Sequence, residues 1–240
     1  MMRSIILMLF VGLSYLPHSY AQISITPESK EFQFELIPFS AIYQQMGTSL
    51  SLETSRSADG KMYQVSMCMP DASRPDRIIT DVLGLDAHSG AIVYRDFHLL
   101  MPAWSYNRME KTPTSLRLNS YGQETISRDS TTLEGEVFDG TLAYWLLSGM
   151  SESVEEFKLR RWKYTPNGLE VGYSPTFKAK GREQLTISEI KYDCRIFSVE
   201  AAPGVEIVSY VSNQAPYLIK QVYKQGGQPE MEVLRLQKMK

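Results

Sequence analysis

Residues 210–223 read YVSNQAPYLIKQVY, and this stretch decides the fold class. Two alternating apolar runs stand on either side of the polar connection NQAP, where Pro216 lies at the start of a strand and its missing N–H does least harm. Alternation of apolar and polar side chains is the pattern of a strand with one buried face. The stretch therefore predicts two antiparallel strands that are neighbours in one sheet.

The same alternation continues along most of the chain from residue 31 onward, with a turn roughly every ten residues. It begins with residues 31–36, and it includes EEFKLRRWKY (155–164) as a single strand. Asp59-Gly60, Asn167-Gly168 and Gly226-Gly227 supply turn residues that tolerate a positive φ. The pattern predicts a mainly β protein, a large curved antiparallel meander of about ten or more strands that forms an unclosed or half barrel.

One segment breaks the strand pattern. In FDGTLAYWLLSGM (138–150), Leu142, Trp145 and Leu146 have helical spacing. Asp139 or Thr141 can cap the start of a helix and Gly149 suits its end. The segment predicts one short amphipathic helix over 140–149 that covers the concave apolar face of the sheet.

The first residues have the layout of an export signal. Arg3 is followed by the apolar run Ile5–Val11, and Ser19-Tyr20-Ala21 has small residues at the positions that a signal peptidase prefers. The run is too short to span a bilayer as a helix. We predict a signal peptide over 1–21, cut near Ala21, a single domain over 22–240 with no transmembrane segment, and a periplasmic or secreted location.

Charge and cysteine content narrow the functional classes. The net charge of −2 does not provide the basic face that nucleic-acid binding requires. The two cysteines, Cys68 and Cys194, are in phase with opposite faces of their strands, so the pattern favours two independent thiols, with a disulfide as the alternative.

Catalytic and metal-binding motifs are poorly supported. The turn DAHSG (86–90) places three polar residues in one turn, but adjacency alone does not create the geometry of a catalytic triad. His88, in that turn, and His98 are the only histidines after the predicted signal peptide. Two histidines without cysteine pairs do not form a typical zinc site. We predict no enzymatic activity, no cofactor and no metal, with a hydrolase that uses dispersed carboxylates as the weakest alternative.

Three stretches carry a resemblance to known proteins: GLDAHSGAIVYRD (84–96), VFDGTLAYWLLSG (137–149), and REQLTISEIKYDCRIFSVEA (182–201) followed by the hairpin at 210–223. With the leader, they resemble a family of uncharacterised secreted bacterial half-barrel domains. In architecture these are similar to lipoprotein carriers of the LolA/LolB type. The resemblance implies a concave apolar face that receives lipid or acyl chains, and it transfers no individual site residue.

Aromatic side chains are the candidate ligand contacts. We expect six of them to line a hydrophobic cavity beneath the helix: Trp104, Tyr106, Phe138, Tyr144, Trp145 and Phe177. The function expected is non-enzymatic binding of a lipid or other hydrophobic ligand. The alternative is a cell-envelope structural or interaction protein in which the same aromatics fill the core and the surface binds an envelope protein partner.

Overall fold

A computed structural model describes residues 23–71, 74–100, 104–122, 126–140, 142–165, 168–173 and 175–240. The predicted signal peptide lies outside the described residues, as do Asn167 of one predicted turn and Thr141 of the predicted helix cap.

The described residues form one 15-stranded sheet and one 3-stranded sheet. The first nine strands are β1 (Ile23–Ile25), β2 (Ser40–Gln45), β3 (Thr48–Arg56), β4 (Met62–Asp71), β5 (Arg74–Asp86), β6 (Ile92–Leu100), β7 (Ser105–Lys111), β8 (Ser115–Gly122) and β9 (Ile126–Thr132). The remaining strands are β10 (Phe138–Asp139), β11 (Glu156–Leu159), β12 (Arg161–Thr165), β13 (Gly168–Tyr173), β14 (Thr176–Ile187), β15 (Ile190–Ala202), β16 (Val205–Ser212), β17 (Leu218–Gln225) and β18 (Met231–Met239).

The large sheet has the order β1-β11-β14-β15-β16-β17-β18-β2-β3-β4-β5-β6-β7-β8-β9, and the small sheet has the order β10-β12-β13. The hairpin at 210–223 is confirmed, because β16 and β17 pair antiparallel with Val208 opposite Val222. The mainly β, unclosed meander with one short helix is therefore confirmed. Two short parallel pairings, β1 with β11 and β10 with β12, are additions that alternation alone does not indicate.

The large sheet buries one face, which we call the core face. On β3, Leu50 and Leu52 are at most 3% exposed and alternate with the more exposed Ser49, Ser51 and Glu53. On β5, Leu83 and Leu85 are at most 1% exposed and face the same side. The opposite face is the outer face. One-sided burial explains why the strands are amphipathic rather than apolar throughout.

Residues 155–164 do not form one strand. The segment divides at Arg160, whose backbone N–H donates to the carbonyl of Ile25 at 2.9 Å and whose carbonyl accepts from the N–H of Phe138 at 3.0 Å. β11 therefore belongs to the large sheet, next to its edge strand β1, and β12 belongs to the small sheet. Next to β12, β13 contacts β9 at the other edge, where Leu169 N–H donates to Asp129 Oδ2 at 2.7 Å. The small sheet thus bridges the two edges of the large sheet without a continuous strand ladder.

Residues 31–36 also depart from the predicted strand. Phe32 forms an isolated antiparallel bridge with Met150, and the rest of the segment is irregular. Phe32 and Leu36 are buried in the core, and the ring of Phe32 meets that of Phe138 edge to face at 4.9 Å. The alternation here arises because the segment packs its apolar side chains inside the hollow, which is the space that the core face of the large sheet surrounds. It does not arise from strand pairing.

The helix is shorter than the predicted 140–149. It consists of α1 (Ala143–Leu146) followed by a 3-10 turn (Leu147–Gly149). The Asp139 carboxylate accepts a hydrogen bond from Leu142 N–H at 3.3 Å, which anchors the start of the helix. Leu142 and Leu146 are buried, so the helix lies in the hollow as the sequence predicts.

The remaining local predictions concern turns and thiols. Gly60 and Gly227 have φ of +71° and +76°, as their turns require. Cys68 is exposed and Cys194 is buried, and both are free thiols. The prediction of two independent cysteines on opposite faces is confirmed.

Candidate functional site

A cavity of about 360 Å³ lies between the helix and the core face of the sheet. Its walls come from β2 to β6, from β17 and β18, and from the helix with the glycine before it. They consist of Gln45, Met46, Leu50, Met67, Met69, Ile79, Asp81, Arg95, Phe97, Gly140, Tyr144, Trp145, Gln221, Val233 and Leu234.

Strand alternation places these residues in the wall. Met67 and Met69 on β4 face the hollow because they are two apart, and Cys68 between them is exposed on the outer face. Methionine side chains are flexible and polarisable, so they adapt to ligands of irregular shape. Met46, in the turn between β2 and β3, is 59% exposed and therefore lies at the mouth of the cavity.

A charged group forms one part of the wall. The Arg95 guanidinium donates to both Asp81 carboxylate oxygens, from Nε at 2.9 Å and from the Nη2 nitrogen at 2.6 Å. Its Nη1 nitrogen lies 3.6 Å from Asp139 Oδ2. Burial raises the pKa of the Asp81 carboxyl, and although the Arg95 pairing lowers it, the rise prevails. Burial alone would lower the pKa of Arg95, but the two carboxylates outweigh burial and raise it, so the guanidinium stays charged.

Two aromatic rings enclose the guanidinium. The Arg95 carbon Cζ lies 5.9 Å from the ring centre of Phe97 and 5.7 Å from that of Trp162. Both distances are within the range of cation–π attraction. The Arg95 side chain is 19% exposed, so it meets the cavity while remaining largely shielded from bulk water.

A second cavity of about 250 Å³ adjoins the first. It is lined by Arg95, Phe97, Asn107, Met109, Leu118 and Trp162. Arg95 and Phe97 line both cavities, so they form the junction between them. We call this place the Arg95 junction.

The opposite side of the helix is filled. Phe32, Phe34, Leu142, Leu146 and Tyr217 are among the residues around a space of only about 20 Å³ there, which is room for about one water molecule. The helix therefore closes the core on one side and borders open volume on the other. One side of this short helix therefore packs in the core, and its other side lines the larger cavity.

The structure brings together two of the six predicted ligand contacts. Tyr144 and Trp145 line the larger cavity. Phe138 and Phe177 are at most 1% exposed and lie in the core, where Phe177 stacks on Phe157 at 5.6 Å and meets Tyr144 edge to face at 6.1 Å. Phe177 therefore packs against the helix through Tyr144, and Phe138 packs against Phe32.

The other two predicted contacts lie away from the cavities. Trp104 is 48% exposed just before β7. Tyr106 lies on the outer face, where its hydroxyl donates to Asp96 at 3.0 Å and its ring stacks on Tyr121 at 5.7 Å. Met109, an odd number of positions along the same strand, is the residue that reaches the second cavity.

Sequence reasoning missed the charged and indole groups at the Arg95 junction. Asp81 is in phase with the buried Leu83 and Leu85, and Arg95 is in phase with Phe97. A charged residue at a core-face position was the available signal, since buried charges require partners. The sequence spacing does not indicate that Asp81 and Arg95 pair with each other.

In the DAHSG turn, the Asp86 side chain holds the turn by local hydrogen bonds. Asp86 Oδ1 accepts from the N–H groups of His88 at 3.0 Å and Ser89 at 2.8 Å, and from the Ser89 hydroxyl at 2.9 Å. Burial acts to raise the pKa of Asp86, but these hydrogen bonds outweigh it and lower the pKa. The Ser89 hydroxyl is thus a donor to a turn carboxylate.

Two kinds of site, metal centres and membrane-spanning helices, can be considered for the parts of the chain that the structure describes. Within them, no group of three or more histidine, cysteine, aspartate or glutamate side chains is placed to hold a metal ion. Among these same residues, the helices are all too short or too polar to cross a bilayer.

The fold has a neighbour among solved structures. It is similar to the crystal structure of a β-barrel-like protein of the domain of unknown function DUF1849 from Brucella abortus, with a TM-score of 0.53 and 12% sequence identity. The similarity covers 86% of this chain and 98% of that one. No protein-family model matches the chain, and a comparison with curated proteins gave no match. The fold is therefore β-barrel-like.

Proposed function

We propose that this chain is a periplasmic or secreted, non-enzymatic protein that binds a lipid or another hydrophobic ligand in the larger cavity. The observation that carries the proposal is the 360 Å³ of open volume between the helix and the core face. Ligand pockets are typically concave, mostly apolar and about 300–1,000 Å³ in volume, with a few polar groups that orient the ligand.

The wall chemistry supports a hydrophobic ligand. Leu50, Met67 and Leu234 are buried, whereas Met69 and Ile79 keep part of their surface open to the cavity. Apolar surface of this kind gains free energy when a hydrocarbon chain replaces water, by about 25 cal/mol for each Å² removed from water.

The helix supports the proposal as a fixed wall. Its start is held by Asp139, and its end by the Gln33 N–H, which donates to the Gly149 carbonyl at 2.9 Å. A wall held at both ends keeps the cavity formed without a ligand. The exposed Met46 marks the side by which a ligand enters.

The envelope location rests on the N-terminal leader, whose basic start, short apolar run and small residues at 19–21 are those of an exported protein. The architectural likeness to lipoprotein carriers that the sequence predicts would fit a ligand that contains acyl chains. The non-enzymatic role is supported by the turn geometry of Asp86 and Ser89, which employs both side chains in one local hydrogen-bond network.

A second candidate is a cell-envelope interaction protein with no small ligand. The outer face favours it at one place, where three rings form a row across β6, β7 and β8. His98 lies 4.6 Å from Tyr106, and Tyr106 lies 5.7 Å from Tyr121, between ring centres. Aromatic side chains that remain partly exposed are enriched at protein interfaces.

Dye binding and native mass spectrometry test the proposal. The purified full-length protein is titrated with N-phenyl-1-naphthylamine, a neutral apolar dye that fluoresces out of water, and the native protein from its own envelope is measured by mass spectrometry. We expect saturable binding of one dye per chain and a co-purified mass in the lipid range. No saturable dye binding together with a bare protein mass would overturn the proposal and leave the interaction candidate.

A further inference from the structure

The Arg95 junction offers hydrogen-bond donors in an otherwise apolar interior. Two of the three guanidinium nitrogens of Arg95 are occupied by Asp81, and the Nη1 nitrogen faces Asp139 at 3.6 Å, which is longer than a hydrogen bond. A guanidinium carries five N–H donors, so a ligand oxygen at this junction finds donors still available.

Trp162 adds a second donor at the same place. It lines the second cavity, its side chain is 5% exposed, and its indole N–H has no acceptor among the described residues. A buried polar group normally has a hydrogen-bond partner, and an indole N–H can only donate. An acceptor atom of a ligand in the second cavity would supply that partner.

The formal charges select the type of acceptor. Arg95 stands between two carboxylates, Asp81 and Asp139, the second of which is fully buried. The bidentate pair with Asp81 already balances the Arg95 charge, and Asp139 lies 3.6 Å from the remaining Nη1 nitrogen, so an anion at the junction would lie close to two carboxylates in a medium of low dielectric. A neutral carbonyl oxygen accepts from Arg95 and Trp162 without adding a third negative charge.

We propose that the Arg95 junction binds the neutral acyl carbonyl, ester or amide, of a ligand whose hydrocarbon chain occupies the larger cavity. The inference rests on the proposed function and adds the chemical class of the head group. It follows from the shared wall, because Arg95 and Phe97 line both cavities. A chain in one cavity therefore brings its first polar group to the junction.

Four probes of matched length test the head group: methyl dodecanoate, N-methyldodecanamide, sodium dodecanoate and tridecane, each measured by displacement of N-phenyl-1-naphthylamine. On the unmodified protein we expect the ester, the amide or both to bind more tightly than tridecane and than dodecanoate. Which of the two binds more tightly distinguishes an ester source from an N-acyl source. Equal or tighter binding of dodecanoate would overturn the proposal.

Trp162→Phe supplies the second readout, because it keeps an aromatic ring and removes the donor. We expect affinity for the preferred carbonyl probe to fall roughly two- to tenfold, the effect of one hydrogen bond, with tridecane affinity unchanged. A fall shared equally by tridecane, or no fall for the carbonyl probe, would overturn the inference. If neither dye nor any probe binds the unmodified protein, the proposed function itself fails.

Discussion

Trp145 Nε1 donates a hydrogen bond to Tyr43 Oη at 3.4 Å, and the two rings meet edge to face at 6.1 Å. Tyr43 Oη in turn donates to the Leu218 carbonyl at 2.9 Å. One fully buried tyrosine of β2 therefore joins the helix to β17 across the hollow. Burial raises the pKa of Tyr43, so the phenol remains a neutral donor at every physiological pH.

Tyr43→Phe tests this connection. The variant keeps the ring but leaves the Leu218 carbonyl and the Trp145 N–H without their partner in the interior, so we expect unfolding free energy to fall by about 1–3 kcal/mol. Urea unfolding followed by circular dichroism measures the change. Tyr223→Phe, at a half-buried tyrosine of β17, is the control and should change stability by less than about 0.5 kcal/mol. Equal effects from the two variants would contradict the role of Tyr43.

Gly149→Ala tests the close contact at the end of the helix. A Cβ at position 149 would fall on the Gln33 carbonyl oxygen and 2.7 Å from Phe32 Cε2. We expect a loss of about 1–3 kcal/mol in thermal or urea unfolding, because overpacking forces the backbone apart. The matched control is Gly226→Ala, where a Cβ meets nothing within 4 Å and φ is not positive. That variant should be neutral or slightly stabilising, and a neutral Gly149→Ala would refute the contact.

Ile79→Trp tests whether the larger cavity is where ligand binds. Ile79 lines the cavity, so an indole at that position fills part of its volume, and we expect affinity for N-phenyl-1-naphthylamine to fall by at least about tenfold. Thr80→Trp is the control, because the next residue of β5 points to the outer face. Fluorescence titration compares them. Unchanged affinity in Ile79→Trp with folding preserved would place the dye elsewhere.

The fold is largely predictable because burial of one sheet face makes apolar and polar side chains alternate, with a period of two residues, along each strand. The hairpin at 210–223 and the two faces of Cys68 and Cys194 followed from that period. The same rule failed at residues 31–36 because an irregular segment inside a hollow buries alternate side chains just as a strand does. The rule also predicts one strand where the structure has β11 and β12. The division at Arg160 depends on hydrogen bonds to Ile25 and Phe138, which are distant in sequence.

The site was less predictable than the fold. The helical spacing of Leu142, Trp145 and Leu146 indicates the short helix, and its two aromatic residues, Tyr144 and Trp145, line the larger cavity. Aromatic content alone groups Tyr106 with these two residues, but its position in β7 directs its side chain to the outer face. The pairing of Asp81 with Arg95 requires the register of β5 against β6, which no local pattern specifies.

The two thiols should differ sharply in reactivity. Cys68 is exposed, whereas burial raises the pKa of Cys194 to about 12, so its reactive thiolate form is scarce. We expect Ellman's reagent to modify one thiol per native chain, and both thiols after unfolding in urea. Cys68→Ser should abolish the native reaction. Two fast-reacting thiols, or none in a protein kept under reducing conditions until the assay, would contradict this arrangement.

The turn at Asp86 predicts a pH dependence of stability. Hydrogen bonds from Ser89 and His88 lower the pKa of Asp86 in the folded state, despite partial burial, so the contribution of its charge is present above the unfolded pKa of about 3.9. That contribution is lost as the pH falls through the folded pKa. Asp86→Asn keeps an acceptor oxygen but cannot ionise, and we expect it to be less stable by about 0.5–1 kcal/mol at pH 7. Urea unfolding at pH 7, 4 and 3 should show this difference shrinking toward acid. A difference that grows as the pH falls would reverse the assigned sign.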